Sequence, residues 1–160
     1  MTIDFILNGE DVVIRASAER RLSDILRDTF KLMGTREACC VGHCGACSVI
    51  LNGEVVKSCL IPAFKIRNSE IITIEGFSQT EEYEDIVLGF KEAGVENCGF
   101  CDTGKILAAE ALLSRNHNPS REEILAAYNG IKCRCTESES LVRGITATTE
   151  QRRRRLYGRS

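Results

Sequence analysis

Apolar and polar positions alternate from the start of the chain. Ile3, Phe5 and Leu7 are spaced by two, which turns one face of a strand toward a core. Asn8-Gly9 interrupts the run, and Val12-Val13-Ile14 resumes it, so the first two strands are expected as a hairpin. The spacing then becomes helical. Leu22, Ile25, Leu26, Thr29, Phe30 and Met33 share one face of a helix expected over about 24–33, with Ser23 as its N-cap and Gly34 at its end. A second hairpin reads from SVIL at 48–51 through Asn52-Gly53 to EVVKS at 54–58. IITIE at 71–75 reads as a last strand. Two hairpins, a helix and a further strand predict a small mixed sheet with the helix on one face, a β-grasp arrangement.

After Gly76 the pattern is helical throughout. One helix is expected over about 82–93, with Tyr83, Ile86, Val87 and Phe90 on one face, and another over about 103–115, using Ile106, Ala109 and Leu113. A third begins at Ser120, where Glu123 completes a capping box; it carries Ile124, Ala127 and Tyr128 and ends at Asn129-Gly130. The last covers about 138–149. Short connections make successive helices antiparallel, and these apolar stripes read as core packing. The fold class is therefore α+β. A β-grasp domain is expected at 1–78, a four-helix-bundle domain at 79–150, and a basic tail at 151–160. The arginines at 152–155 in that tail read as a solvated terminus.

Composition narrows the function. The 160 residues carry a net charge of −2, which argues against a general nucleic-acid binder. MTIDFILNGE has no basic n-region, and no stretch approaches a membrane span. The expected location is cytoplasmic, where thiols stay reduced. The nine cysteines then read as metal ligands or redox thiols, not as a disulfide framework.

The cysteines fall into two sets. Cys39, Cys44, Cys47 and Cys59 give C-x4-C-x2-C…C, the spacing of plant-type [2Fe–2S] ferredoxins. If Asn52-Gly53 is a two-residue turn, Leu51 pairs with Glu54 and Cys47 lies opposite Ser58, which delivers Cys59 to the open end of the hairpin. Gly42 and Gly45 let the loop bend tightly and point N–H groups at sulfur. Cys40 is left over. The second set is Cys98, Cys101, Cys133 and Cys135. These fall in the first and third connections of the helical half, at one end of an up-down bundle. Zinc with four thiolates is the alternative, giving a zinc-stapled interaction module without redox activity. A third reading is a thiol redox sensor using Cys39-Cys40 or Cys98-Cys101. His43 and His117, the only histidines, lack the pattern of a Rieske site. His43 reads as an exposed loop residue and His117 as a turn residue. No catalytic group stands out.

Four motifs, CCVGHCGACSV, KSCL at 57–60, NCGFCDTG at 97–104 and IKCRCT at 131–136, resemble the small iron–sulfur subunit of molybdenum hydroxylases. The CCVG variant is most similar to bacterial xanthine dehydrogenase small subunits. The resemblance spans about residues 2–149. It implies two [2Fe–2S] clusters, held by Cys39, Cys44, Cys47 and Cys59 on the flavin side and by Cys98, Cys101, Cys133 and Cys135 on the molybdenum side. It also implies a large molybdopterin-binding partner subunit and an FAD-binding partner subunit. Electrons would pass from the pterin centre through the helical domain to the ferredoxin-like one. Three departures surround the second set. Asn97 stands where the family has a pterin-contacting Gln, Asp102-Thr103 replaces the Thr-Pro of C-T-P-G, and Glu137-Ser138 replaces the Gly-Tyr of C-R-C-T-G-Y. Asn97 is therefore the candidate pterin contact. Cys40 occupies a position where most of the family has Gly.

Overall fold

Asn8 and Gly9 both take positive φ, 51° and 85°, as a two-residue type I′ turn demands. They join β1 (Thr2–Leu7) to β2 (Glu10–Arg15). Asn52 and Gly53 repeat the device, at 50° and 86°, between β3 (Ser48–Leu51) and β4 (Glu54–Lys57). The computed structural model describes residues 1–95, 102–131 and 136–158. With β5 (Glu70–Ile72) the strands form one sheet in the order β2-β1-β5-β3-β4. β1 runs parallel to β5, and every other pair is antiparallel, so the β-grasp expectation holds.

The first helix differs from expectation. α1 (Leu22–Asp24) starts two residues early and continues as a π-helical turn, Ile25–Thr29. Ser23 is not its cap: Arg21 is the extended residue before the helix, and Ser23 is buried inside it. The Leu22 N–H bonds the Ile61 carbonyl at 2.8 Å, and this pins the start. The end comes at Lys31, not Gly34. Lys31 takes φ 58°, and the Leu32 N–H returns to the Leu26 carbonyl at 2.9 Å. Leu22, Ile25 and Leu26 are buried as expected, whereas Thr29 and Met33 are exposed because the helix has already closed.

The strand expected at 71–75 also ends early. Thr73 and Asn8 bond each other twice: Asn8 Oδ1 accepts the Thr73 N–H at 2.8 Å, and Asn8 Nδ2 donates to Thr73 Oγ1 at 2.9 Å. The chain turns there into α2 (Ile74–Phe77).

The helical half contains α3 (Glu81–Glu92), α4 (Asp102–Arg115), α5 (Arg121–Ala127) and α6 (Ser138–Tyr157). Ser120 and Glu123 form the full capping box of α5. On α3, Ile86 and Phe90 are buried, but Val87 is 39% exposed and lies off the core face. α4 is buried almost all round, as befits the central helix of the bundle.

α6 runs eight residues past the expected 149, so the residues after 150 are not a solvated tail. Arg155 bonds Asp85 through Nε at 2.9 Å, and Arg152 pairs with Glu110. The arginine run thus clamps α6 to α3 and α4.

Two cores result. One lies between the sheet and α1 and contains Ile3, Phe5, Leu22 and Val49; the other lies inside the helices and contains Phe90, Leu107, Leu113 and Ile145. β3 serves both, with Val49 in the first and Ile50 in the second. Because strand neighbours point to opposite faces, one strand seals the sheet against the bundle. Among the described residues no helix is long and apolar enough to cross a membrane.

Candidate metal centre

The second hairpin sets the geometry. Ser48 pairs with Lys57, and the pairing continues one step: the Ser58 N–H and Oγ both donate to the Cys47 carbonyl, at 3.3 and 2.7 Å. Cys47 therefore lies opposite Ser58, as the turn predicted. A 3-10 turn, Ser58–Leu60, then carries Cys59 past it. Cys47 and Cys59 are both buried. Burial, followed by the neighbouring Cys47 thiol, pushes the Cys59 thiol up to about 11.

The loop from Cys39 to Cys47 wraps its backbone around sulfur. Cys40, Gly42 and Gly45 take positive φ of 55°, 75° and 78°. These turns aim three N–H groups at Cys39 Sγ, from Val41 at 3.5 Å, His43 at 3.2 Å and Cys44 at 3.3 Å. Donors of this kind favour a thiolate, and they lower the Cys39 thiol to about 6. Ala46 donates its N–H to Cys44 Sγ at 3.4 Å, and the Gly42 backbone opposes part of the upward shift of Cys59. Lys57 Nζ ties the loop to the hairpin through the Gly42 carbonyl at 2.7 Å. His43 is exposed, and its contribution is its backbone N–H, not its ring.

The four thiols influence one another in two pairs, Cys39 with Cys44 and Cys47 with Cys59, with a weaker effect of Cys39 on Cys59. Among the described residues no three His, Cys, Asp or Glu side chains close tightly enough around one ion. Two pairs of thiols are the ligand set that a two-iron cluster would take. Four sulfurs partly sheathed in N–H groups fit a [2Fe–2S] cluster with a formal charge of about −2. Bound there, the cluster would supply one-electron transfer. The chain itself holds the sulfurs, excludes water behind Cys47 and Cys59, and offers N–H donors to the negative charge.

Asn97, Cys98, Cys101, Cys133 and Cys135 lie outside the described residues. Their immediate neighbours are described. Asp102 and Thr136 both meet Lys105, whose Nζ donates to Thr136 Oγ1 at 3.0 Å and lies 3.7 Å from Asp102 Oδ1. The first site presses on this region. A Cβ at Gly45 would come within 2.7 Å of the Gly130 carbonyl oxygen, and one at Gly104 within 2.8 Å of the Gly45 carbonyl oxygen. Thr103 Oγ1 adds a bond to the Gly34 carbonyl at 3.0 Å. Sequence reasoning missed Lys57, Lys105 and this backbone seam. A lysine within the apolar run of α4 was the one available signal.

Comparison with known proteins agrees with this geometry. Residues 5–70 match the 2Fe-2S iron-sulfur cluster binding domain family, and residues 73–146 match the [2Fe-2S] binding domain family. The chain is 43% identical over 136 residues to the nicotinate dehydrogenase small FeS subunit of Eubacterium barkeri, covering 85% of this chain and 87% of that one. It is 32% identical over 147 residues to the xanthine dehydrogenase iron-sulfur-binding subunit of Escherichia coli O157:H7, covering 91% and 92%. Among solved structures, quinoline 2-oxidoreductase from Pseudomonas putida 86 superposes with a TM-score of 0.85 at 35% identity, covering 96% of each chain. The chain belongs to the family of small iron–sulfur subunits of the molybdenum hydroxylases, with two [2Fe–2S] domains in one polypeptide.

Proposed function

We propose that the chain relays electrons, one at a time, from a molybdopterin centre on a large partner subunit to an FAD-binding partner subunit. Cys39, Cys44, Cys47 and Cys59 hold the flavin-side cluster in the domain at 1–78. Cys98, Cys101, Cys133 and Cys135 hold the molybdenum-side cluster in the domain at 79–150. Asn97 is the candidate pterin contact, and the complex acts in the cytoplasm. The substrate class is a purine or another N-heterocycle, in line with the names of the nicotinate, xanthine and quinoline enzymes it resembles.

The observation that carries this reading is the N–H sheath on Cys39 Sγ beside the Cys47–Cys59 pair. A sheath of that kind matters for a site whose charge changes with each electron. Lys105, joining the residues that follow Cys101 and Cys135, supports the second set.

Anaerobically purified protein should be red-brown with about four irons per chain. Cys135→Ser should remove one of two electron paramagnetic resonance signals and spare the other. A colourless preparation that keeps stoichiometric zinc would refute the relay. Loss of both signals from a folded Cys135→Ser protein would refute the division of ligands. Co-purification from the native host, followed by identification of the large subunit, tests the partners.

A further inference from the structure

We infer that Lys57 sets the reduction potential of the first cluster through a single peptide group: its ammonium polarises the Gly42 carbonyl, and the N–H of that same peptide, on His43, donates to Cys39 Sγ. The inference rests on the first ligand set proposed above. Lys57 Nζ donates to the Gly42 carbonyl oxygen at 2.7 Å, and the His43 N–H reaches Cys39 Sγ at 3.2 Å. That carbonyl and that N–H are the two ends of one amide, which resonance couples. A cation on the oxygen draws electron density away from the nitrogen, so the N–H becomes a stronger donor to sulfur.

The strand delivers the ammonium to this place. Lys57 closes β4 opposite Ser48, two residues before Cys59. Val55 packs against the helical core, and strand side chains repeat by two, so Lys57 leaves the sheet on the same face. There Nζ lies 3.4 Å from where a Cβ on Gly130 would stand. The side chain is therefore half-buried in the seam between the two domains. Among the described residues no carboxylate pairs with it, and the Gly42 carbonyl is its hydrogen-bond acceptor. A half-buried ammonium held on a neutral carbonyl has given up hydration without gaining a counter-charge. A cluster bound to Cys39, one peptide away, would supply that negative charge.

The charge arithmetic gives the sign. Two ferric ions, two sulfides and four thiolates carry about −2, and one added electron makes about −3. A nearby cation, and a stronger N–H donor on a ligand sulfur, both lower the free energy of the reduced form more than that of the oxidised form. Lys57 therefore raises the potential of the first cluster. It keeps its protons and forms and breaks no covalent bond. One electron enters from the second cluster and the same electron leaves toward the flavin.

The test uses the full chain purified with its partner subunits, titrated with redox mediators and read by electron paramagnetic resonance. The first-cluster signal is the one that survives Cys135→Ser. Lys57→Gln keeps an N–H donor for the Gly42 carbonyl but no charge, and its first cluster should titrate at lower potential with the second unchanged. Lys57→Arg keeps both charge and donor and should stay near wild type. Lys57→Met loses both and should fall furthest. An unshifted Lys57→Gln protein with full iron would overturn the inference. So would a fall confined to Lys57→Met, which would make the hydrogen bond and not the charge decisive. Loss of the first cluster from all three variants would make Lys57 a scaffold only, and an equal shift of both clusters would remove the route through the Gly42 peptide; either result overturns the inference. Absence of a first-cluster signal from wild-type protein would instead defeat the ligand assignment itself.

Discussion

Cys39 Sγ accepts the backbone N–H of Cys44 at 3.3 Å, so one proposed ligand of the first cluster is oriented by the peptide of the next. The contact exists because the loop between them turns twice into positive φ, at Cys40 and Gly42, and the chain does so a third time at Gly45. Two of those positions are glycines. The third is a cysteine in a conformation that L-residues avoid, at a cost of roughly 1 kcal/mol. That detail separates adjacent thiols that composition alone cannot tell apart.

Cys40→Gly should therefore leave the cluster intact. Glycine relieves the strained φ but adds unfolded-state freedom of similar size, so stability should stay within about 1 kcal/mol of wild type. Cys39→Ser should lose or cripple the cluster, because the three-donor cradle is built around that sulfur. Iron content and the visible spectrum decide. Reversed outcomes would install Cys40 as the ligand.

Removing the metal should expose a pH signature. In metal-free protein the backbone N–H donors hold the Cys39 thiol down at about 6, and burial pushes the Cys59 thiol up to about 11. A lowered value means thiolate, and so nucleophile, above it; alkylation of Cys39 by iodoacetamide should be fast at neutral pH and fall as pH drops through about 6. Cys59 stays protonated and buried, so it should remain unlabelled until strongly alkaline pH. Mass spectrometry of labelled peptides across a pH series checks both. Equal labelling of the two cysteines at neutral pH would contradict the N–H cradle.

The parts of this site that were legible in the sequence are those governed by local rules. Asn-Gly turns fix hairpin register, and register places Cys47 opposite Ser58 without further information. The capping box at Ser120 and Glu123 is equally local. Errors arose where a distant partner overrode a local preference. Ser23 lost the cap because Leu22 bonds Ile61, and the last strand stopped at Ile72 because Thr73 meets Asn8. The arginine run looked like a tail because its partners, Asp85 and Glu110, lie far upstream in the sequence. Lys105 has the same character: a lysine in an apolar helix announces itself, but its partner at 136 does not.

The clamp at the end of α6 can be tested on stability. Asp85 is almost completely buried, and Arg155 contacts its Oδ2 through Nε at 2.9 Å and a terminal nitrogen at 2.8 Å. Arg152 approaches the same oxygen only to 3.7 Å. Arg155→Met should strip the main counter-charge from a buried carboxylate and cost up to roughly 3 kcal/mol. Adding Asp85→Asn should recover part of that loss, because the stranded charge is gone. Denaturant unfolding of the single and double variants measures it. A single variant as stable as wild type would return residues 151–157 to the role of a solvated terminus.

The seam between the two domains bears on the relay directly. Gly104, three residues after Cys101, leaves no room for a side chain: a Cβ there would stand 2.8 Å from the Gly45 carbonyl oxygen. Gly45 lies between Cys44 and Cys47, and the obstacle is backbone, which cannot swing aside as a side chain can. Gly104→Ala must therefore push α4 away from the first-cluster loop or strain both. The overpacking should cost about 1–3 kcal/mol. It should also weaken the magnetic coupling between the two reduced clusters, because that coupling falls steeply with distance. Dipolar broadening in the fully reduced protein reads the change independently of turnover, with iron content as the control. Unchanged broadening at full iron content would mean that the Gly45–Gly104 contact does not set the spacing of the clusters.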